Sequence, residues 1–399
     1  MVQKRTVAVV NCGSSSVKLD VFLMPSEDNP LSILVERVGK NDARLVLHRA
    51  SAGGVPERDE TREVQAIDPA AAVALVLDAV AEAGFVPDAV GHRVVHGGAR
   101  FSQSVLLDDA VIAEIGACTP LAPLHNPANL AGIAMARSRL PAVPQVAVFD
   151  TAFHQTLAPE AYLYALPRPL HEEEGIRRYG FHGTSHRYVA ERAARLFGRD
   201  ASTLKLITLH LGNGCSACAI SRGVSVDTSM GMTPLEGLVM GTRSGDVDPA
   251  VVLRLARKLG IEEAERVLNK ESGLLGLSRK SQDMRDLEQA AAAGDADADL
   301  AVRIFARRVC KTVGAYAALL GDVDAVIFTG GIGENSARVR RESCGGLRVI
   351  GALLDERKNT SDLRGERDLA GSDSRVRILV IPTDEERAIA HETMALARI

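Results

Sequence analysis

The amino-acid sequence predicts a mixed α/β protein that is built from two related halves. Strand-like apolar runs alternate with helix-like segments along the chain, and this alternation is typical of α/β folds. A strand, a polar turn and a second strand begin near residue 6, and the same arrangement begins again near residue 204. The length of 399 residues is long for one hydrophobic core and suits two domains.

The first half opens with two β-branched apolar runs, which predict strands on either side of the polar turn 11–16. An Asp-Pro start, followed by alanine, leucine and valine at helical spacing, predicts a helix over residues 68–83. Two further apolar runs that end in polar residues predict buried strands. The predicted strands of this half cover residues 6–10, 17–23, 89–95 and 145–149.

The second half repeats the opening pattern around the turn 212–214 and continues with longer helices. A patch rich in alanine and aspartate over residues 290–299 is interpreted as a surface loop or a helix end. The predicted strands cover residues 204–211, 215–220, 325–328 and 377–381, and the predicted helices cover residues 185–197, 249–259, 300–320 and 384–399.

The two domains are expected to share the chain discontinuously. Because no linker rich in proline or serine separates them, we expect connections near residue 150 and again near residue 383. The first domain is predicted to consist of residues 1–150 together with the C-terminal helix 384–399. The second domain is predicted to consist of residues 151–383.

The composition argues against several classes of protein. Lys and Arg total 47 against 51 Asp and Glu, so a net charge of −4 leaves no positive excess for a nucleic-acid backbone. The longest stretch without a charged residue, 115–136, contains three prolines and cannot span a membrane. The N-terminus has no secretory apolar run, and six cysteines make no disulfide framework. We therefore expect a cytoplasmic protein without nucleic-acid or membrane partners.

Three turns rich in glycine, serine or asparagine follow predicted strands, at 11–16, 212–214 and 330–333. Glycine allows a backbone to approach a ligand, and successive N–H groups form a nest for phosphate oxygens. Lys18 follows the first turn and can reach a phosphate as a point charge. A single turn of this kind would more often only close a hairpin, but three together favour phosphate binding. The P-loop and the dinucleotide-binding glycine motif are both absent.

Two pairs of residues are interpreted as structural. His92 and His96 have a four-residue spacing, but zinc needs three or four ligands and the glutamate of the H-E-x-x-H pattern is absent. Cys215 and Cys218 lie within one predicted strand, where side chains three residues apart point to opposite faces. We therefore expect small core residues at these cysteines rather than redox chemistry.

Polar strings lie at the ends of the predicted strands, which is where α/β folds build their sites. The strings are VVNCGSSSVK at 9–18, HRVVHGG at 92–98, LHNP at 124–127, FDTAFH at 149–154, RYGFHGTSH at 178–186, HLGNG at 210–214, DTSMG at 227–231, GTRSGD at 241–246, TGGIGEN at 329–335 and PTDEE at 382–386. Together they resemble the motifs of the acetate kinase family, and the resemblance spans the chain, in order, at a length typical of the family. It implies that the second domain, 151–383, is the nucleotide-binding domain.

The resemblance implies a fold of two duplicated ribonuclease-H-like domains, as in actin and the sugar kinases, with a nucleotide cleft between them. It also implies an enzyme, an ATP:acetate phosphotransferase that forms acetyl phosphate and ADP reversibly. Mg²⁺, or Mn²⁺ as an alternative, is the implied metal, and ATP and ADP are the implied co-substrates. The habit of the family suggests a homodimer.

The resemblance further assigns catalytic roles. Arg93 is expected to bind the substrate carboxylate and the transferring phosphoryl group, and Arg243 and His182 are expected to stabilise the transition state. Asp150 is the expected active-site acid residue, which orients an arginine or the waters of the metal. Two arginines, a histidine and a metal ion suit a reaction that brings two anions together.

Binding roles follow from the same resemblance. Asn11 and Glu385 are the implied magnesium ligands or their water-mediated partners. Met284 stands where the family pattern has phenylalanine, and it can pack on an adenine ring. The implied nucleotide contacts are Lys18, His210, Leu211, Gly212, Asn213, Gly214, Asp283, Met284, Arg285, Gly331, Ile332, Gly333, Glu334 and Asn335. The implied acyl pocket is formed by Val95, Leu124, Phe181 and Pro234, with Arg93 on the carboxylate.

A carboxylate nucleophile is already ionised near neutral pH, so this reaction needs no general base. We therefore expect direct in-line transfer, with a covalent route through Glu385 as the lesser alternative. A propionate or butyrate kinase of the same fold is the nearest alternative function. An ATP-driven switch like actin or a chaperone is a remote one, because it leaves Arg93, His182 and Arg243 without a purpose.

Overall fold

Two β-sheets organise the chain, one in each half. A computed structural model describes residues 4–50, 58–123 and 125–399. The chain divides into a first unit, Met1–Ala152 with Asp384–Ile399, and a second unit, Phe153–Thr383. The two units are described separately below.

The sheet of the first unit has the strand order β5-β4-β3-β2-β1-β6-β8-β7. Strand β1 is antiparallel to β2 and parallel to β6, and β6 is parallel to β8. The carboxyl ends of β1, β6 and β8 therefore lie along one edge. The strands are β1 (Arg5–Cys12), β2 (Ser16–Met24), β3 (Asp28–Glu36), β4 (Arg44–Arg49), β5 (Arg58–Glu63), β6 (Ala89–Val94), β7 (Val105–Leu106) and β8 (Gln145–Phe149).

Helices α1 (Pro69–Glu82), α2 (Asp109–Ala117) and α3 (Asn126–Arg139) complete the first half of the chain. Helix α1 begins where the Asp68 carboxylate accepts a hydrogen bond from the backbone N–H of Ala71 at 2.8 Å. Its apolar side pairs with α3 and packs on β2 and β3. The buried core of this side includes Ala8, Val10 and Cys12 of β1, which alternate along the strand.

The second unit contains a sheet with the order β11-β10-β9-β12-β14-β13 and most of the helices. The strands are β9 (Lys205–Leu211), β10 (Cys215–Ser221), β11 (Val224–Thr228), β12 (Ala325–Thr329), β13 (Arg367–Asp368) and β14 (Arg377–Val380). The helices are α4 (Pro159–Tyr162), α5 (Arg168–Glu172), α6 (Gly183–Phe197), α7 (Pro249–Leu259), α8 (Ile261–Lys270), α9 (Gly273–Ser278), α10 (Met284–Ala292), α11 (Ala296–Leu320), α12 (Gly330–Asn335), α13 (Ala337–Cys344) and α14 (Glu356–Asn359).

The two sheets share the same five-stranded core. In the first unit the core order is β3-β2-β1-β6-β8, and in the second it is β11-β10-β9-β12-β14. In the first unit, β1, β2 and β3 form an antiparallel meander, and β6 and β8 run parallel to β1. In the second unit, β9, β10 and β11 form the equivalent meander, and β12 and β14 run parallel to β9. The predicted relation between the two halves is confirmed by this repeated topology.

The last helix, α15 (Glu385–Ala397), belongs to the first unit. It packs on the side of the sheet formed by Val7 and Val9, the alternate residues of β1, through Ile389 and Ala390. Gly91 of β6 lies directly beneath it, because a Cβ atom at this position would lie 2.7 Å from Cγ2 of Ile389. The absence of a side chain at residue 91 lets α15 approach the sheet closely.

The predicted elements agree with the observed ones to within a few residues, with one error of type. The turn predicted over residues 330–333 is the start of helix α12. Its glycine content hides the helical pattern, because glycine is a poor helix former. Strands β3, β4, β5, β7, β11 and β13 were not predicted: Pro30 lies within β3, β5 (RDETRE) has no apolar alternation, and β7 and β13 have only two residues each.

Membrane insertion through a helix is not supported by the described residues, since none of their helices has both the length and the apolar character that crossing a bilayer requires.

Adding a methyl group at Gly91 should separate α15 from the sheet. Gly91→Ala is expected to lower the free energy of unfolding by about 1–3 kcal/mol, because the new Cβ overlaps Ile389 and Thr393. Gly116→Ala, in α2 of the same unit, is the matched control, since its Cβ would meet only Cδ1 of Leu130 at 4.0 Å. The control should gain about 0.5–1 kcal/mol. Urea-unfolding midpoints that fall equally in both variants would contradict this packing.

Candidate active site

The carboxyl ends of β1, β6 and β8 place Asn11, Arg93 and Asp150 together. The Arg93 guanidinium donates Nε–H to Oδ1 of Asp150 at 3.0 Å and Nη2–H to Oδ2 at 2.6 Å. Its Nη1 donates to the amide oxygen of Asn11 at 3.3 Å. Asp150 is 1% exposed, whereas 23% of the Arg93 side chain remains exposed. A buried carboxylate thus fixes an arginine that is still accessible to an anion.

The first turn of α15 adds two carboxylates to this cluster. Oε2 of Glu385 lies 3.9 Å from Nε of Arg93. Nζ of Lys18 forms ion pairs at 2.9 Å with Glu386 and at 2.9 Å with Asp20. Burial alone would lower the pKa of Lys18, but Glu386 and Asp20 outweigh it and raise that pKa, so the ammonium stays charged.

Glu385 is the titratable group most affected by this arrangement. Burial raises the pKa of its carboxyl to about 7; Arg93 opposes the shift, and the negative charges of Asp150 and Glu386 add to it. An oxygen-rich cluster with this excess of carboxylates favours a bound cation. Asn11 and Glu385 supply the oxygen donors that Mg²⁺ prefers, so the residues fit the metal that the sequence implies.

In the second unit, His182 and Arg243 meet at Gly214. A Cβ atom on Gly214 would lie 3.4 Å from both Cε1 and Nε2 of His182 and 3.6 Å from Nη1 of Arg243. His182 has a left-handed backbone (φ 57°), which is uncommon outside glycine, and it precedes helix α6. Its ring stacks on that of His210, with the centroids 4.3 Å apart. A cation and an imidazole therefore converge on one backbone turn.

The loop that carries Arg243 is held by its own backbone. The N–H of Met240 donates to the carbonyl of Arg243 at 3.2 Å, and the N–H of Gly241 donates to the carbonyl of Asn213 at 2.9 Å. Nη1 of Arg243 donates to the carbonyl oxygen of Pro234 at 3.1 Å. Burial lowers the pKa of Arg243, with Cys215 opposing, and no carboxylate partner is recorded for it among the described residues. This guanidinium is suited to bind an anionic ligand.

A cavity of about 740 Å³ opens in the second unit at the ends of β9 and β12. This volume lies within the range of small-molecule sites, roughly 300–1,000 Å³. The cavity is lined by Gly212, Asn213, Gln282, Asp283, Met284, Arg285, Glu288, Gly331, Ile332, Asn335, Ser336 and Arg364. A Cβ atom on Gly331 would meet nothing within 4 Å, so the backbone faces open space there.

The short helix α12 beside this cavity is fixed at both ends. Gly330 has a φ of 76°, and a Cβ atom there would lie 2.8 Å from the carbonyl oxygen of Leu211. Oε1 of Glu334 accepts from the N–H of Gly330 at 2.9 Å. The buried Arg340 donates to the carbonyls of Gly333 and Glu334, each at 2.9 Å. Glu334 and Gly333 therefore shape the turn rather than line the cavity.

The structure divides the sequence-predicted residues between the two units. Asn11, Lys18, Arg93, Val95, Asp150 and Glu385 lie in the first unit, Leu124 lies outside the described residues, and the others lie in the second unit. Eight of the predicted nucleotide contacts line the cavity: Gly212, Asn213, Asp283, Met284, Arg285, Gly331, Ile332 and Asn335. His210, Leu211 and Gly214 belong to the adjoining strands and turn.

Several lining residues were not predicted. Gln282, Glu288 and Ser336 are close in sequence to predicted residues, so an extended reading of those motifs could have found them. Arg364 lies outside every motif and donates to Oδ1 of Asn335 at 3.4 Å. No local pattern predicts such a contact.

The residues that were interpreted as structural are buried. Nε2 of His92 lies 2.8 Å from Oε1 of Gln145, and Nδ1 of His96 accepts from the N–H of Gly98 at 2.9 Å. Burial lowers the pKa of both histidines to about 4. Cys215 and Cys218 are both 0% exposed, which confirms that they are core residues.

The raised pKa of Glu385 predicts a specific pH dependence of stability. Between its ordinary pKa of 4.5 and the folded value of about 7, the unfolded chain releases the proton that the folded chain retains. Stability therefore falls as the pH rises through this window. Without divalent metal, Glu385→Gln should nearly match the wild type at pH 4.5 and exceed it by about 3 kcal/mol at pH 8. A stability difference between the two proteins that does not change with pH would contradict the assignment.

Comparisons with known proteins were made for the whole chain. A sequence profile of the Acetokinase family matches residues 6–391. The acetate kinase of Syntrophobacter fumaroxidans is 51% identical over 403 residues, covering 98% of this chain and 97% of that protein.

Two solved structures are similar over nearly their whole length. The acetate kinase of Porphyromonas gingivalis has a TM-score of 0.91 at 43% identity, with 98% of this chain and 99% of that one covered. A propionate kinase of Francisella tularensis also has a TM-score of 0.91, at 41% identity, with 98% and 100% covered. The predicted resemblance and the predicted fold class, two actin-like ATPase domains, are confirmed by these matches. The chain belongs to the acetokinase family.

Proposed function

We propose that the protein is an ATP:acetate phosphotransferase, which reversibly transfers the γ-phosphoryl group of ATP to acetate and yields acetyl phosphate and ADP. Membership of the acetokinase family, with about half of the aligned residues identical to those of an acetate kinase, supports this activity. The observation that carries it is the bidentate Arg93–Asp150 pair, in which a partly exposed guanidinium is held beside the oxygen donors of Asn11 and Glu385. An arginine held in this way is suited to bind a small carboxylate.

The methyl group of acetate would lie in an apolar pocket formed by Val95, Leu124, Phe181 and Pro234. Each additional methylene changes discrimination by only about 1–3 kcal/mol. Propionate should therefore be a poorer substrate rather than an excluded one.

The chemistry proposed for the described residues is electrostatic. The acetate carboxylate attacks the γ-phosphorus directly, and it needs no general base because it is already ionised. Arg93, Arg243 and His182 neutralise the charge that spreads over the phosphoryl oxygens. Asp150 keeps Arg93 charged and oriented. The covalent route through Glu385 is the lesser alternative, because an ionised acetate can attack phosphorus without a second nucleophile.

Mg²⁺ is the metal that we propose for the first unit, with Mn²⁺ as an alternative. Asn11 and Glu385 would hold it, directly or through water, since both side chains carry oxygen donors around Arg93. When bound, the ion supplies neutralising charge to the phosphates of the nucleotide.

The nucleotide is proposed to bind in the cavity at the ends of β9 and β12. Gly212, Asn213 and Gly331 offer backbone close to open space, and Met284 is an apolar side chain on which an adenine ring can pack. Lys18, His210, Leu211, Gly214, Gly333 and Glu334 are proposed to support the phosphates or the turns that hold them, together with Asp283, Arg285, Ile332 and Asn335.

We also propose that the enzyme is a cytoplasmic homodimer. The described helix α7 supports a partner surface, because Val251, Leu253 and Leu259 are 45%, 55% and 40% exposed and no residue of this helix is buried. Ile261, directly after it, is 78% exposed. A group of exposed apolar side chains of this kind is typical of protein interfaces. Light scattering should give twice the mass of one chain.

The function is tested with purified protein, Mg-ATP and acetate, propionate or butyrate, with hydroxylamine to trap any acyl phosphate. We expect the fastest product with acetate. A preference for a longer acid would favour the alternative, a propionate or butyrate kinase; a solved propionate kinase is among the similar structures. ATP hydrolysis without an acyl phosphate from any acid would contradict the phosphotransferase and favour an ATP-driven switch.

Filling the cavity at Gly331 should block the nucleotide without harming the fold. In Gly331→Val the new side chain enters open space, because no atom lies within 4 Å of the added Cβ. We expect the Kd for ATP, measured by calorimetry without acetate, to rise at least about ten-fold, the equivalent of 1.4 kcal/mol. Gly314→Val, on α11 and equally unhindered, is the control and should keep the wild-type Kd. Unchanged ATP affinity in Gly331→Val would contradict the assignment of the cavity.

A further inference from the structure

A chain of buried hydrogen bonds lies behind His182. Nδ1 of His182 is 2.9 Å from Oγ of Ser216, and the same hydroxyl is 2.7 Å from Nε2 of His186. Nδ1 of His186 lies 2.7 Å from Oγ1 of Thr208. Ser216, His186 and Thr208 are all 0% exposed. No role was predicted for these three residues from the sequence.

The single proton of the Ser216 hydroxyl links the two rings. A hydroxyl that bridges two ring nitrogens donates to one and accepts from the other. One of the two facing atoms, Nδ1 of His182 or Nε2 of His186, therefore carries a proton at any time. His186 remains neutral in both cases, because burial and the nearby His154 and His210 hold its pKa well below the ordinary value. Thr208 can donate to or accept from Nδ1 of His186, so either tautomer of His186 is satisfied.

The opposite nitrogen of His182 faces the proposed phosphoryl site. Nε2 lies beside Gly214, on the side where Nη1 of Arg243 also approaches that residue. The left-handed backbone of His182 is unfavourable for a residue other than glycine and persists only where its surroundings hold it. The Ser216 bond is one of the contacts that hold the ring in this orientation.

We propose that Ser216 is a positioning residue for His182, and that its hydroxyl holds Nδ1 so that Nε2 carries the proton offered to the transferring phosphoryl group. In the neutral ring, Ser216 donates to Nδ1 and the proton resides on Nε2. When the ring gains a second proton, Nδ1–H donates to Ser216, Ser216 donates to Nε2 of His186, and His186 donates Nδ1–H to Thr208. In both of these states Nε2 is a donor and His186 stays neutral.

The inference rests on the proposed phosphotransfer. The titratable and charged groups recorded around His182 are the stacked ring of His210, the Arg243 guanidinium beside Gly214, and His186 through Ser216. In the neutral ring, the tautomer decides whether Nε2 donates.

Kinetics compare Ser216→Ala with a matched control, Ser225→Ala. Ser225 is also 0% exposed, and its hydroxyl lies 2.8 Å from Nδ1 of the buried His154, so this variant removes an equivalent bond without touching His182. We expect Ser216→Ala to lower kcat about ten-fold, the rate equivalent of one hydrogen bond, with the KM for ATP within about two-fold. Ser225→Ala should keep kcat within about two-fold. Equal losses of kcat in the two variants would overturn the proposal.

A spectroscopic measurement tests the tautomer without any substrate. In protein labelled with ¹⁵N-histidine, the His182 signals are identified by their loss in His182→Gln. At pH 8, wild-type His182 should have the Nε2–H tautomer, and Ser216→Ala should have averaged shifts from a mixture. An Nδ1–H tautomer in the wild type, or unchanged shifts in Ser216→Ala, would overturn the proposal.

The two proposals can fail separately. Absence of acyl phosphate would contradict the proposed function but would leave the tautomer result standing. If Ser216→Ala does not fold, Thr208→Val removes the far hydroxyl of the same chain, and the same change in the His182 shifts is expected. Unchanged shifts in that variant would overturn the relay.

Discussion

The parallel pairing of β1, β6 and β8 in the first unit, and of β9, β12 and β14 in the second, is the constraint on which both halves of the protein depend. This pairing brings the carboxyl ends of three strands to one edge of each sheet. In the first unit that edge carries Asn11, Arg93 and Asp150, and in the second it carries Gly212 and Gly330. The same topology thus yields a charged cluster in one unit and a glycine-lined cavity in the other.

Charge balance explains why the first cluster contains both signs. The buried carboxylate of Asp150 forms a bidentate pair with the Arg93 guanidinium. This pair fixes the position of the guanidinium. The ionised form of Glu385 is destabilised by this arrangement, because burial and two neighbouring carboxylates raise its pKa to about 7. Strongly shifted carboxyl pKa values of this kind are concentrated at functional sites. The proposed binding of a cation and an anionic substrate would account for this arrangement.

The sequence could predict the elements and the residue types of the site, but not their pairing. Capping by Asp68 and the apolar run 145–149 are local signals, so α1 and β8 were found almost to the residue. The cavity residues within motifs were also predictable. Lys18 and Glu386, by contrast, are 368 residues apart in the chain, and Arg364 lies outside every motif. Helix α12 was not predicted because glycine is a poor helix former. Its glycines are explained by tertiary contacts: a side chain at Gly330 would collide with the backbone of Leu211, and Gly331 borders the cavity.

The central claim is that the phosphoryl group passes directly from ATP to a carboxylate held by Arg93, without a covalent intermediate on Glu385. The most direct test uses ATP whose γ-phosphorus is chiral by isotopic labelling and follows the configuration of the acetyl phosphate formed. A single in-line displacement inverts the configuration at phosphorus, and net inversion is the predicted result. Net retention would show two successive displacements and would contradict the account.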